Sequence, residues 1–472
     1  MKNEFKILKK IVKITVFTFV FCLALSSCKK SDNEEGKAKQ EEVGTDTKSI
    51  LDQVASKKDP VIEIPGTNEV QDLGDYYAAK TAGTLAYQWG YALLRMEESM
   101  RSYIDVPNPK PTTSYRAPLN QIGWARALPT DADADMPTAN NDTFYLSAVV
   151  DLQQPMVLKT PDTKDRYYVV DVFDMYQNLI SYIGRRETGT KPGAFLIVPP
   201  NWKGNIPKGI SKVISPTTQK VWLWGRLNVK QGEDMKQLHA LQDQFKLISL
   251  SEFNGGGAPK LASSLPTLPN VADKDSLGFY KKLAFVMGNN PIPEIDKALV
   301  GQFEKIGITP GKFEESKLNK MQRKGLYDAT LEGPLTIIAS VKSAASIVNG
   351  WQWVNKLDNF GYDYALRSMV AGPYLGGQGE KEALYPIRYT DSENNALDGK
   401  NTYKISFDKE PPVNAFWSLT MYDASNKLLV KNELNRFKIS NDIKGFVKKA
   451  DGTFEITISN AKPKDTNNWL PA

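Results

Sequence analysis

The chain has 472 residues, which is enough for two or three domains with sizeable cores, and its formal net charge is +6. The first 27 residues hold five lysines and one glutamate and carry +4 of this charge, which leaves the rest of the chain near +2. No stretch of the body is rich in lysine or arginine, so the composition argues against nucleic acid as a partner.

A basic and then apolar segment begins the chain. Residues 14–25 follow five lysines and carry no charge. As a helix they would span about 18 Å, which is too short for a hydrocarbon core of ~30 Å, so residues 1–27 are interpreted as a secretory signal peptide. The segment ends in a motif that resembles a bacterial lipobox, Leu25-Ser26-Ser27-Cys28.

The lipobox resemblance implies cleavage before Cys28 and attachment of lipid to its sulfur, which predicts a stable membrane anchor. The alternative is an ordinary signal peptide followed by a chance cysteine. We expect a lipid-anchored protein of the cell envelope, in the outer membrane and facing the periplasm or the cell surface. Because Cys22 lies in the signal segment, the folded body has no thiol and can form no disulfide, thiolate metal site or cysteine nucleophile.

Residues 28–72 are predicted to be a disordered tether, since residues 29–59 carry charges of both signs and few large apolar side chains. A helix is predicted from Asp72 to Met100, and residues 107–118 form a proline-rich loop. Alternating β-branched and aromatic residues then predict a series of strands. These strands are residues 144–152, 166–173, 194–198 and 221–229.

Apolar residues at helical spacing predict a helix over residues 233–250. It carries His239, the only histidine of the chain, one turn before Asp243. A helix-surface pair of these two side chains is favoured over a catalytic role. A single histidine also excludes zinc sites built on two or three histidines. General acid–base chemistry would therefore fall to carboxylates, tyrosines or lysines.

The middle of the chain is predicted to be helical. A glycine- and proline-rich linker follows residue 254, and helices are expected over residues 277–287, 292–306, 313–331 and 335–348. The third of them is expected to end before Gly333-Pro334, and the fourth near Asn349-Gly350. A second region of strands begins near Leu384, and its clearest strands are residues 402–407, 415–422 and 454–458.

Two sets of motifs resemble known families. The first set is similar to the domain of unknown function numbered 1254: Asn141 to Tyr145, Asp171 to Asn178, Gly184-Arg185, Thr188-Gly189, Ser215 to Thr217 and Arg226. The second set is similar to the domain of unknown function numbered 1214: Asp363-Tyr364, Ala383 to Pro386, Leu397 to Gly399, Pro411 to Asp423, Asn435-Arg436 and Asn467 to Pro471.

The resemblance implies a fold that is mainly β with a substantial helical segment, in which helices join two β-sandwich domains, one Ig-like and one jelly-roll-like. It places the first domain at residues 73–255, a linker and helical segment at 256–375 and the second domain at 376–472. The family usually continues beyond the motif that ends at Pro471 with another strand, and a sandwich that lacks it has an unpaired edge. Two explanations are open: another segment covers this edge, or the second domain is truncated.

Five polar residues of the first domain are the candidate ligand-binding residues. Asp142 begins one predicted strand, Asp171 ends another and Arg226 lies within a third, so neighbouring strands could bring such residues into a cleft near the helical segment. An arginine beside aspartates could receive a carboxylate or a hydroxyl-rich ligand. Turn capping and structural ion pairs are the alternative, and Asp174 and Arg436 belong to the same pattern. The five candidates are Asp142, Tyr145, Asp171, Arg185 and Arg226.

An acidic loop precedes these residues. Asp131, Asp133 and Asp135 have the spacing of calcium-loop ligands, and Asp142 lies at the twelfth position. However, Met136 occupies the position that requires glycine, so a solvated loop is favoured and no metal or cofactor is expected. The glycine-rich residues 372–379 lack the lysine of a phosphate-binding loop, and no Gly-x-Ser-x-Gly elbow is present.

Three functions remain open at this point. The favoured one is binding of a small or oligomeric ligand, such as a glycan, at the junction of the two sandwiches. The others are a carboxylate- and tyrosine-based hydrolase or lyase, and a structural role in the envelope. Tryptophans at strand spacing such as Trp222 and Trp224 are interpreted as core, although a few in a groove would suit a sugar.

Overall fold

The computed structural model describes residues 47–57, 68–109, 114–133 and 137–472. The predicted signal peptide, Cys28 and much of the predicted tether lie outside these residues, as do Asp135 and Met136 of the acidic loop. Two helical stretches fall within the predicted tether: α1 (Thr47–Ala55) and the start of α2 (Asn68–Ile104). No helix in the described ranges is long and apolar enough to cross a bilayer.

Two sheets form the N-terminal sandwich, which occupies residues 123–249. One sheet has the strand order β1-β2-β8-β4-β5 and the other has the order β7-β6-β3-β9. The strands are β1 (Gly123–Trp124), β2 (Thr143–Asp151), β3 (Met156–Thr160), β4 (Tyr168–Asp174), β5 (Leu179–Gly184), β6 (Gly193–Ile197), β7 (Lys212–Ile214), β8 (Lys220–Asn228) and β9 (Lys246–Ser249).

Strand alternation gives the five-stranded sheet two different buried faces. The inner face, which includes Phe144, Leu146 and Leu223, packs into the core between the two sheets. On the outer face, Trp222 and Trp224 pack into a second core that is shared with the helices. Both faces are therefore covered, which explains why the central strands are apolar almost throughout.

The predicted helix over residues 233–250 is wrong. The structure has α3 (Met235–Gln242), then strand β9, then α4 (Leu250–Phe253). Residues 246–249 pair with β3 instead of continuing the helix, so tertiary pairing overrides the helical apolar spacing. The predicted pair of His239 and Asp243 side chains is also absent: the His239 ring meets the carbonyl of Arg126 at 2.8 Å, and Arg126 forms the ion pair with Asp243.

A layer of helices covers the outer face of the sheet. Besides α2, the layer contains α5 (Gly278–Gly288), α6 (Lys297–Phe303), α7 (Lys320–Ala344) and α8 (Tyr364–Ala371). Helix α2 packs along the long helix α7 and against the shorter helices α5, α6 and α8.

The predicted helix break at Gly333-Pro334 is wrong, because α7 continues through both residues. A Cβ atom at position 333 would lie 2.4 Å from the Tyr87 ring of α2, so this glycine permits close helix packing. The predicted helix end near Asn349-Gly350 is instead a hairpin of β12 (Ala345–Val348) and β13 (Trp351–Val354). Both turn residues have positive φ, 49° and 77°, as a tight hairpin turn requires.

The C-terminal β domain, residues 376–472, is a small two-layer structure. Strands β14 (Tyr403–Phe407), β17 (Phe454–Ser459) and β18 (Trp469–Pro471) form one sheet, and β15 (Ser418–Thr420) pairs with β16 (Lys438–Ser440). Side chains from both sheets share one core, which includes Trp417, Ile439 and Ile456. A short hairpin of β10 (Ile308–Thr309) and β11 (Lys312–Phe313) lies among the helices. The whole is a mixed fold with several β-sheets joined by helices.

Candidate functional site

The candidate site is built on the outer face of the five-stranded sheet. Tyr145 of β2 lies directly opposite Arg226 of β8 in the antiparallel register. Asp171 of β4 lies opposite Trp224, which makes it a diagonal neighbour of Arg226 on the same face. Three of the five candidate residues, Tyr145, Asp171 and Arg226, are therefore brought together by strand pairing.

Tyrosines surround the Arg226 guanidinium. It lies 5.9 Å from the ring centroid of Tyr145 and 5.5 Å from that of Tyr385, to whose hydroxyl it donates a hydrogen bond. Tyr145 stacks on Trp224, and burial raises its pKa to about 12. Burial also raises the pKa of Tyr167 well above its usual value, so both tyrosines stay neutral at physiological pH.

Arg226 lacks a carboxylate partner. None of the ion pairs in the part of the chain that the structure describes includes it, and its buried Nε atom has no hydrogen-bond partner. Arg226 is partly buried, whereas Lys220 and Arg367 are buried cations of the described residues and both are paired: Lys220 lies 2.5 Å from Glu97 and Arg367 lies 3.6 Å from Asp296. A cation removed from water without an anion is unfavourable, so Arg226 is suited to an anion that is not part of the chain.

Asp171 has one hydrogen-bond partner. The side chains of Asp171 and Gln378 are both fully buried, and the Gln378 Nε2 atom donates to the Asp171 Oδ2 atom at 2.7 Å. The other oxygen of each group, Oδ1 of Asp171 and Oε1 of Gln378, has no partner. Burial raises the pKa of Asp171 well above its usual range, and the nearby charge of Arg226 opposes this shift only in part.

Residues that follow the helices complete the site. Glu382 has a side chain that is only 2% exposed; it accepts a hydrogen bond of 2.8 Å from the Tyr167 hydroxyl and one of 2.5 Å from Arg186 Nε. Arg186 also lies 4.7 Å from the ring centroid of Tyr182. Glu382, Arg186 and Tyr167 are not among the candidates predicted from the sequence, because nothing local to their sequence marks them as site residues.

The glycine-rich segment, residues 372–379, lies against the aromatic face of the sheet. Gly376 has a φ of +74°, and a Cβ atom there would lie 3.0 Å from the rings of Trp222 and Trp224. Gly379 would place a Cβ atom 2.1 Å from Asp358. The glycines therefore allow the segment to approach the sheet closely enough to place Gln378 beside Asp171, and their density is the sequence signal that could have found this contact.

Asp142 joins the two domains. Its Oδ2 atom accepts a hydrogen bond of 2.5 Å from Ser418, and its Oδ1 atom pairs with Lys438. The Asp142 side chain is 2% exposed and that of Lys438 is 15% exposed. The Tyr422 hydroxyl adds a hydrogen bond of 2.9 Å to the carbonyl of Ala139 at the same junction. Tyr145, Asp171, Arg226 and Tyr385 form what we call the Arg226 cluster. Asp142 therefore lies beside this cluster, with its carboxylate already bound to Ser418 and Lys438.

The structure places the remaining candidates outside the cluster. Arg185 pairs with the exposed Asp165 at 3.0 Å and donates to the carbonyl of Asn414. Asp174 caps the turn between β4 and β5 by accepting from the backbone N–H groups of Tyr176 and Asn178. Arg436 donates to three backbone carbonyls of the C-terminal β domain, those of Thr466, Asn467 and Trp469.

A solved structure has a similar fold. The crystal structure of the VPA0106 protein from Vibrio parahaemolyticus is 24% identical, covers 83% of this chain and 92% of its own, and superposes with a TM-score of 0.62. A putative uncharacterized protein from Burkholderia cenocepacia is 11% identical, covers 90% of this chain and 86% of its own, and superposes with a TM-score of only 0.36. No curated protein matches the chain.

Two family models match the chain, and both are described as proteins of unknown function. Residues 119–249 match the DUF1254 model, and residues 382–472 match the DUF1214 model. These matches confirm the resemblance drawn from the motifs, in the same order along the chain. The protein therefore carries a DUF1254 domain followed by a DUF1214 domain.

Proposed function

We propose that this protein is a lipid-anchored envelope protein that binds a small anionic ligand where its DUF1254 and DUF1214 domains meet. The observation that carries the ligand proposal is Arg226, an enclosed guanidinium without a carboxylate partner and with an unpaired Nε atom. Guanidinium groups bind carboxylate, phosphate and sulfate groups through charge-assisted hydrogen bonds. The hydroxyls of Tyr145 and Tyr385 can donate further hydrogen bonds to such an anion.

The chemistry of the surroundings supports a small anion over a glycan. The tryptophans of this face, Trp222 and Trp224, are 1% and 2% exposed and are covered by other rings and by Gly376, so they offer no open surface for stacking a sugar. The ligand group that fits is compact and negatively charged. Residues of both domains would contact it, since Tyr145 and Arg226 come from one domain and Tyr385 from the other.

Thermal unfolding in the presence of different anions tests this proposal. Sulfate, phosphate and acetate are compared with glucose as a neutral control, because a ligand that binds only the folded state raises its stability. At least one anion is expected to raise the melting temperature of the wild type and not that of Arg226→Gln. Arg185→Gln is the matched control, since Arg185 is an arginine outside the cluster, and it should respond like the wild type.

The outcomes separate the three functions. An equal response of wild type and Arg226→Gln, or no response to any anion, would contradict the binding site. If Arg226→Gln fails to fold, Tyr385→Phe weakens the same site by removing one hydroxyl. Chemical change of a bound organic anion during incubation would favour the hydrolase or lyase.

The lipid anchor rests on the lipobox and on the short apolar segment before it. Cys28→Ser should move the protein from the membrane fraction to the soluble fraction or leave the signal peptide uncleaved. Metabolic labelling with a fatty acid should label the wild type and not the variant. A wild type that carries no label would contradict the anchor.

A further inference from the structure

We propose that Asp171 is a neutral carboxylic acid at physiological pH, that it is joined to the Gln378 amide by a ring of two hydrogen bonds, and that its ionisation expels an anion bound at Arg226. The second half of this inference rests on the proposed anion site. The first half is independent of it and concerns only the protonation of one side chain.

The unpaired oxygens of Asp171 and Gln378 are the first argument. An ionised carboxylate can only accept hydrogen bonds, so it could not satisfy the Oε1 atom of Gln378. A proton on Oδ1 of Asp171 makes that atom a donor, which can form a hydrogen bond to Oε1 of Gln378. A carboxylic acid and a primary amide then exchange two hydrogen bonds, and both atoms that lack partners acquire one.

Comparison with other buried carboxylates is the second argument. Asp174 is as buried as Asp171, yet its two oxygens accept four hydrogen bonds from backbone N–H groups, Asn178 and Thr217. Glu97 contacts Lys220 and Arg101, and Asp142 contacts Lys438. Asp171 alone among these has a single neutral donor. A buried carboxylate with so few donors is stabilised by protonation.

The groups that face Asp171 come from three sides. Arg226 lies on β8, Arg186 and Tyr182 lie on or just after β5, and Glu382 and Gln378 belong to the segment that covers the sheet. Glu382 opposes the ionisation of Asp171, whereas the two arginines favour it. Burial outweighs the arginines, so the pKa of Asp171 lies well above its usual range.

The neutral state of Asp171 has a direct consequence for Arg226. As an acid, Asp171 leaves the charge of Arg226 uncompensated, and the site attracts an anion. As a carboxylate, it would become the counter-ion of Arg226 and repel that anion. Anion binding and proton binding at Asp171 are therefore linked, so each must strengthen the other by the same factor.

Infrared spectroscopy tests the protonation without any ligand. The full chain at neutral pH should show the C=O absorption of a buried protonated carboxylic acid, and Asp171→Asn should lose it. Asp165→Asn removes an exposed carboxylate and should leave the band unchanged. The absence of this band from the wild type, or a band of unchanged intensity in Asp171→Asn, overturns the inference whatever the ligand is.

Sulfate affinity across pH tests the linkage, because the charge of sulfate is constant from about pH 5 to about pH 10. The wild-type dissociation constant should rise about tenfold per pH unit once Asp171 begins to ionise, and that of Asp171→Asn should stay level. A wild-type affinity that does not change over this range overturns the control by Asp171. An infrared band without binding of sulfate at any pH contradicts the sulfate site and leaves the neutral acid standing.

Discussion

The hydroxyl of Ser418 donates a hydrogen bond of 2.5 Å to the Oδ2 atom of Asp142, from the DUF1214 domain to the DUF1254 domain. The other carboxylate oxygen of Asp142 pairs with Lys438, which lies on the strand next to that of Ser418. Because Asp142 directly precedes β2, which also carries Tyr145, this contact fixes the position of one domain relative to the Arg226 cluster.

Replacing Asp142 should destabilise the protein strongly. Asp142→Asn leaves Lys438 enclosed without its anion, and breaking a buried pair in this way costs about 3 kcal/mol or more. Urea unfolding measures the change. Asp165→Asn removes an exposed pair with Arg185 that water and salt screen, so it should cost far less stability. Adding Lys438→Met to Asp142→Asn should restore part of the loss, and equal effects of the two single Asp→Asn variants would contradict this account.

The contact between helices α2 and α7 depends on a glycine. Gly333→Ala should lower stability by about 1–3 kcal/mol, because its Cβ atom would lie 2.4 Å from the Tyr87 ring. The control is Gly301→Ala in helix α6, where no atom lies within 4 Å of the added Cβ and helix propensity alone should stabilise by up to about 1 kcal/mol. Chemical unfolding should give opposite signs for the two variants, and a gain in stability for Gly333→Ala would refute the packing explanation.

Alternation along the strands made part of the site predictable. Tyr145 and Arg226 lie on segments whose β-branched and aromatic composition identifies them as strands, and pairing of those strands places the two residues side by side. The sequence-based prediction is wrong where a turn signal and the spacing of apolar residues indicate different structures. Asn349-Gly350 is a strong hairpin signal, but the apolar residues at helical spacing that precede it predict a helix end instead.

Long-range partners could not be predicted. Gln378 lies 207 residues from Asp171, and Glu382 lies 215 residues from Tyr167. The glycines of residues 372–379 indicate a close approach by the segment that carries Gln378, but nothing local identifies the strand it meets. The partner depends on how the helical segment returns the chain to the sheet. Sequence also could not distinguish Arg185 from its neighbour Arg186, which enters the site instead.

The free energy of unfolding should depend on pH in a way that reflects the raised pKa of Asp171. Its pKa is higher in the folded state than the usual unfolded value of about 4, so the folded protein retains a proton that the unfolded chain releases. The free energy of unfolding should therefore fall as pH rises above about 4 and continue to fall up to the folded pKa. Urea midpoints measured across pH should show this slope in the wild type.

Two variants test whether Asp171 causes this slope. Asp171→Asn should lack it, so the difference in the free energy of unfolding between this variant and the wild type should change steadily with pH. Asp165 is the opposite case, because its hydrogen bond from Arg185 lowers its pKa, and its contribution is lost as pH falls. Identical pH profiles for the wild type and Asp171→Asn would show that Asp171 ionises normally in the folded state.

The glycine-rich segment should control both the packing of the tryptophans and the anion site. Gly376→Ala must adopt a φ of +74°, which costs about 1–2 kcal/mol, and must also fit a Cβ atom 3.0 Å from Trp222 and Trp224. Gly232→Ala meets the same backbone cost at a φ of +76° with no atom within 4 Å of the added Cβ. Comparing the two variants therefore separates contact with the rings from backbone strain.

We expect Gly376→Ala to change tryptophan fluorescence and to weaken the stabilisation by sulfate, because displacement of the segment moves Gln378 away from Asp171 and shifts Tyr385 relative to Arg226. Gly232→Ala should lose stability to a similar backbone cost, yet keep the wild-type emission and the wild-type response to sulfate. Fluorescence spectra and melting temperatures with and without sulfate provide both readouts. If the two variants behave alike in both measurements, the segment does not act through the tryptophan face, and its glycines serve only the turn.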